Sequence, residues 1–178
     1  MHYTQRIPSL TQLVRRAPAA GVLQVLRRLE LECQTRAQAD EVADEIAALL
    51  PDPMKSRLGL IELLLNAIEH GNLEIGTEHK CMLLREHRFD DELMERMESP
   101  RYRGRRVRVH VDITYPMIEI QICDEGNGFD WRKVIGADDY AQDNPNGRGI
   151  AIVNRTCFPG LSYRDPGNVA IVRVAWPK

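Results

Sequence analysis

The stretch Ile118-Glu119-Ile120-Gln121-Ile122-Cys123-Asp124-Glu125-Gly126-Asn127-Gly128 decides the fold. Isoleucine at every second position is the period of a strand with one buried face. Asp-x-Gly-x-Gly follows at once and puts a carboxylate, Asp124, at the strand tip. Gly126 and Gly128 let the backbone turn sharply or approach a flat ligand. A simple acidic turn is the alternative, because this motif is common by itself. A calcium-binding EF-hand does not fit, since the twelve-residue loop with its terminal Glu is missing.

Working outward, residues 106–113 alternate in the same way, with Val107, Val109, Val111 and Ile113 on one face. Thr114-Tyr115-Pro116 joins the two runs into a hairpin. Leu29-Glu30-Leu31-Glu32-Cys33 reads as a half-buried strand. Thr35 can cap a helix over 36–50, with Ala39, Val42, Ala43, Ile46, Ala47 and Leu50 at helical spacing. Pro51-Asp52-Pro53 breaks it. A second helix over 54–70 is apolar on most sides, which predicts a core helix, and Gly71 ends it. Residues 131–146 read as a loop, 149–157 as a third helix, and 161–163 with 169–176 as a closing hairpin across Asp165-Pro166-Gly167-Asn168. This order predicts an α/β chain, an α+β two-layer sandwich. A mixed, mainly antiparallel sheet of about five strands would carry three helices on one face.

Length and composition narrow the class. The 178 residues suit one domain, and 43% hydrophobic with 28% charged residues is enough apolar material for one core. Residues 1–27 read as an N-terminal extension and 28–178 as the domain. Lys+Arg is 24 and Asp+Glu 26, so the net charge is 24 − 26 = −2, with no global drive toward nucleic acid. Nothing spans a bilayer, because the apolar run 58–68 is broken by Gly59, Glu62 and Asn66. The first residues lack a secretory apolar region. Cys33, Cys81, Cys123 and Cys157 form no CxxC pair, which reads as reduced thiols in a cytoplasmic protein.

Two further segments carry chemistry. Glu62 and Asn66, four apart in Glu62-Leu63-Leu64-Leu65-Asn66-Ala67-Ile68-Glu69-His70-Gly71-Asn72, share one face of an apolar helix. Buried without partners, each would cost about 1–3 kcal/mol. A cleft holding a metal and water would supply partners. A solvent-facing stripe or a capped core pair would serve equally. Asn146-Gly147-Arg148-Gly149 opens the third helix, where free N–H groups and the dipole favour phosphate and Arg148 can add a contact. A glycine-rich helix start with a solvent-facing Arg is the plain alternative. His70 reads as a helix-end residue, Glu69 as a surface carboxylate, and Phe129 and Trp131 as packing. Arg101, Arg103, Arg105, Arg106 and Arg108 read as a solvated edge or a docking patch for an acidic protein.

Helical Glu…Asn, strand-tip DxGxG and a GxG-led helix, in this order over about 28–177, resemble the GHKL (Bergerat-fold) ATPases. Asn66-Ala67-Ile68-Glu69-His70-Gly71 looks most like the anti-sigma-factor serine/threonine kinase branch. The resemblance implies the Bergerat ATP-binding fold, ATP and Mg²⁺ as cofactors, and these roles. Glu62 would be the general base on the attacking hydroxyl, and Asn66 the Mg²⁺ ligand. Asp124 would hydrogen-bond the adenine amino group, with Gly126 and Gly128 opening the pocket. Gly147, Arg148 and Gly149 would hold the phosphates. Where the superfamily often has Gly-Thr before the last strand, this chain has Gly167-Asn168, so Asn168 would take the place of the hydroxyl that seats adenine. The segment 78–105, charged and helix-prone, is longer than a compact kinase needs and reads as an insert forming a partner surface.

The implied function is phosphorylation of an anti-sigma-factor antagonist in a partner-switching pathway. A sigma factor or response regulator would be a further partner, and the resembling kinases commonly form homodimers. A nucleotide-gated binding module that sequesters its partner without phosphoryl transfer is the alternative. A detached histidine-kinase catalytic domain is a third reading. No Walker P-loop or Rossmann glycine pattern is present.

Overall fold

The computed structural model describes residues 28–135, 148–164 and 166–175. The expected extension 1–27, Gly147 and most of the expected loop 131–146 lie outside the described residues. Among the described residues, five strands form one sheet: β1 (Arg28–Cys33), β2 (Val107–Thr114), β3 (Met117–Cys123), β4 (Ser162–Arg164) and β5 (Val169–Ala175). The order is β1-β2-β3-β5-β4. Every ladder is antiparallel, which corrects the expected mixed sheet. Two hairpins supply β2–β3 and β4–β5. The long helical crossover from β1 returns the chain antiparallel to β1, and β5 comes back against β3, so no parallel pair forms among the described residues.

Register fixes the faces. Leu31, Val109 and Ile122 are successive partners across β1, β2 and β3, and Ile122 opposes Ala170 on β5. One rung along, Val111, Ile120 and Val172 align, all at 0% exposure. The opposite face carries Glu30, His110 and Gln121. Alternation therefore gives the sheet one apolar face, which is the one the helices cover.

Six α-helical segments occur among the described residues: α1 (Arg36–Ala47), α2 (Pro53–Asn66), α3 (Thr77–Arg85), α4 (Phe89–Glu98), α5 (Trp131–Ile135) and α6 (Arg148–Ile152). This is more than the three expected, because the insert contributes α3 and α4 and the loop contributes α5. Thr35 caps α1 reciprocally with Gln38, as its sequence predicts. Pro53 opens α2 at a position where its missing N–H costs nothing, with the Asp52 carboxylate accepting from the Lys55 N–H at 3.1 Å. Arg57 ties α2 to α1 through Asp40 at 2.6 Å.

Two helices differ from simple α geometry. α2 continues as a π-helical segment, Ala67–Asn72, and α6 as another, Val153–Cys157. Gly71 therefore does not stop the helix. At Gly59, α2 packs tightly on the end of the π segment that follows α6, since a methyl group there would meet the Phe158 ring and Cys157 Cβ.

The insert is part of the core. Leu83, Phe89, Leu93 and Tyr102 are buried in the same cluster as Ile46, Leu64 and Ile120. Glu74 holds its start and end together, accepting from Arg101, Arg105 and the Tyr102 hydroxyl. Arg96 donates to the carbonyls of Leu73 at 2.7 Å and Glu74 at 3.1 Å. Most of the arginine run is paired at the surface: Arg101 and Arg105 on Glu74, Arg106 on backbone carbonyls and Arg108 near Glu125, with Arg101, Arg103 and Arg108 exposed as a solvated edge would be. Among the described residues no helix is long and apolar enough to cross a membrane.

Candidate functional site

A cleft of ≈ 580 Å³ lies between α2 with its π segment, α3, the tips of β3 and β5, and α6. Glu62, Asn66, Asp124, Gly128, Arg148 and Gly149 all line it, although they come from three distant parts of the chain. Gly126 and Asn168 do not line it.

Glu62 and Asn66 share the cleft face of α2. The Asn66 amide Nδ2 donates to Glu62 Oε1 at 3.3 Å, which leaves the amide oxygen free of that bond. Gly149 lies against Glu62, and a Cβ there would overlap Oε1. Glycine at the start of α6 is thus what gives the Glu62 carboxylate room.

Asp124 directly follows β3, and its backbone is locked to the residue just before β5. Its N–H donates to the Asn168 carbonyl at 3.0 Å, and the Asn168 amide returns a bond to the Asp124 carbonyl at 3.1 Å. Asn168 therefore aligns the strand that presents Asp124, and its side chain is engaged there instead of facing a ligand. The Gly126 N–H donates to Asp124 Oδ1 at 2.8 Å. Gly71 packs on the carboxyl so closely that a Cβ would collide with it, and one at Gly126 would strike the Gly71 carbonyl. Gly128, at φ +75°, and Gly167, at φ +105°, bring the two loops together in conformations that favour glycine. Burial pushes the Asp124 carboxyl up to about 6, against the lowering effect of the Gly126 N–H and of Arg105.

Tyr163 closes the floor of the cleft, edge-on to Phe129 at 5.0 Å between ring centroids. Burial, then the nearby carboxylates of Asp124 and Glu62, hold its hydroxyl protonated well above the usual phenol range. Phe129 and Trp131 pack around this ring, as the sequence suggests.

Sequence reasoning missed three contributors. Glu69, expected at the surface, is 0% exposed. Arg36 donates to its Oε1 through Nε at 3.0 Å and a terminal nitrogen at 2.9 Å, and Lys80 to Oε2 at 2.5 Å. A carboxylate can be buried when paired in this way, and partners 33 and 11 residues away leave no local signal. α3 is the second, since Thr77, Lys80, Cys81 and Leu84 form a wall of the cleft. Gly71 is the third. His70 also lines the cleft, with its Nδ1 at 2.5 Å from the Ile75 carbonyl.

Chemically, the cleft offers a carboxylate with an amide beside it on α2 and a desolvated carboxyl just after β3. Among the described residues no group of three or more His, Cys, Asp or Glu side chains is placed to hold a metal ion. A cation here would use the Asn66 oxygen together with oxygens of a ligand, which suits a hard ion such as Mg²⁺. No protein-family model matches the chain, and no curated protein matches it.

Proposed function

We propose that the chain is a Mg·ATP-dependent protein serine/threonine kinase of the GHKL (Bergerat-fold) type. Its substrate would be an anti-sigma-factor antagonist in a partner-switching pathway, and a sigma factor or response regulator a further partner. The observation that carries this reading is the convergence of Glu62, Asn66, Asp124 and Gly149 on one cleft. A five-stranded antiparallel sheet covered on one face by helices is compatible with it. A cytoplasmic, homodimeric protein belongs to the same proposal.

The residues divide the work by position. Asp124, at a strand tip and desolvated, accepts from the adenine amino group. The missing side chain of Gly71 keeps its carboxyl in place. Arg148 and the Gly149 N–H, at the start of α6, neutralise phosphate. Asn66 would hold Mg²⁺ through its amide oxygen, and the ion would supply positive charge against the phosphates. Glu62, held by the Asn66 amide and given room by Gly149, takes the proton of the attacking hydroxyl. That hydroxyl must come within about 2.6–3.2 Å, directly or through one water.

One observation favours a second reading, a nucleotide-gated module that sequesters its partner without transfer. Asn168, at the position expected to help seat adenine, is committed to the Asp124 backbone. Titration calorimetry with Mg·ATP and Mg·ADP tests what the two readings share, and absence of binding overturns both. Incubation with γ-labelled ATP and a candidate antagonist separates them. Acid-stable label on Ser or Thr, lost in Glu62→Ala, supports the kinase. Binding without label on the partner supports the module.

A further inference from the structure

α3 presents Thr77, Lys80, Cys81 and Leu84 to the cleft, spaced i, i+3, i+4 and i+7 on one helix face. The insert thus supplies a wall to the site, and Lys80 is the only cation on that face of α3. Its ammonium rests on Glu69 Oε2, and its side chain keeps 27% exposure. Glu69 does not depend on Lys80 alone, because the Arg36 guanidinium grips the other oxygen with two N–H donors. A forked guanidinium is pre-organised, whereas an ammonium on a four-carbon stem reorients readily. Of the two cations on the buried carboxylate, Lys80 is therefore the one that can leave without stranding the charge.

Charge elsewhere in the cleft points the same way. Glu74 is held by Arg101 and Arg105 and kept ionised below the usual carboxylate range, first by the Arg105 hydrogen bond, so it does not compete for Lys80. Among the described residues, Arg148 is the other Lys or Arg lining the cleft. A ligand with several negative charges gains from a second cation on the facing wall.

We propose that Lys80 is a ligand-binding residue of this cleft, which exchanges Glu69 for the phosphate chain of the bound nucleotide. The inference rests on the nucleotide reading above and deepens it: the insert then takes part in nucleotide discrimination. Thr77 and Leu84 give the same wall hydroxyl and apolar contact for the uncharged part of the ligand.

The test is calorimetry on the full chain with ATP, ADP and adenosine, in wild type, Lys80→Met, Lys80→Arg and Glu69→Gln. Lys80→Met keeps the stem and removes the charge. It should weaken ATP by about tenfold, the usual worth of one charge-assisted contact, and leave adenosine unchanged. Lys80→Arg should restore most of the loss. Glu69→Gln frees the ammonium and should tighten ATP relative to adenosine. If Lys80 only braces Glu69, Lys80→Met lowers the melting temperature and weakens ATP and adenosine equally, or neither; either result overturns the inference while leaving the nucleotide reading intact. Wild type binding neither ATP nor adenosine overturns both.

Discussion

Asp124 is pulled in two directions. Burial raises its titration to about 6, while the Gly126 N–H and Arg105 pull it down. A pH dependence follows with a definite sign. The folded chain takes up this proton near pH 6, and the unfolded chain only near the ordinary value of 3.8. Between those limits the native state binds more protons, so this group's contribution to stability rises as pH falls. Nucleotide affinity should do the opposite, because a protonated carboxyl is a poorer acceptor for the adenine amino group. ATP affinity in the wild type should decline as pH is lowered through about 6, and calorimetry between pH 5 and 8 checks it. Asp124→Asn should bind ATP about tenfold to a hundredfold more weakly, with a flattened profile and no fall in melting temperature at neutral pH. A large loss of stability at neutral pH would mean that the carboxylate is structural. On α2, Glu62→Gln should keep ATP affinity while transfer falls by about 10²–10⁴. Equal losses of binding and transfer would give Glu62 a supporting role instead.

At the scale of elements, two glycines separate packing from chemistry. A methyl group at Gly59 would meet the Phe158 ring and Cys157 Cβ, which are fixed by packing between α2 and the end of the π segment that follows α6. Gly59→Ala should therefore cost about 1–3 kcal/mol and lower the melting temperature by several degrees. A methyl group at Gly149 meets mainly the far end of Glu62, a side chain that can move. Gly149→Ala should leave the melting temperature nearly unchanged and lower transfer, because Glu62 loses its place. Thermal melts and transfer rates on the two variants check the contrast. The sheet was readable in advance, because Val107 to Ile113 and Ile118 to Ile122 alternate with the period of the pleat. Glu62 and Asn66 were readable because polar residues four apart in an apolar helix share a face. The π-helical segments were not, since their sequences fit a regular helix and their widening depends on what packs beside them. Glu69 was misread for a related reason: its neutralising partners Arg36 and Lys80 arrive only through tertiary structure. Asn168 looked like a ligand contact, and its bond to Asp124 needs the β3–β5 register to be known.

At the scale of the molecule, the question is whether the insert is an appendage or a structural member. Its charged sequence suggests an appendage. Its burial argues otherwise: Leu83 is 1% exposed, Phe89 4%, Leu93 5% and Tyr102 9%, all within the one core cluster. Phe89 also lies under Arg36 at 5.0 Å and Lys80 at 5.4 Å, the two cations that neutralise Glu69. Glu69 lies three residues beyond Asn66 on the segment that continues α2. Opening the insert would therefore expose apolar surface and loosen a buried charge beside the site at the same time. An appendage would open at a lower cost than the domain, as a separate cooperative unit. The arrangement here predicts one unit. Urea unfolding followed by tryptophan fluorescence, and hydrogen exchange of amides in α3 and α4, should give the same midpoint. Phe89→Ala should lower both midpoints together, by the equivalent of about 3–5 kcal/mol. Insert amides that exchange well before the fluorescence change would show a wall able to open on its own, and would leave the cleft without the fixed α3 face that positions Lys80.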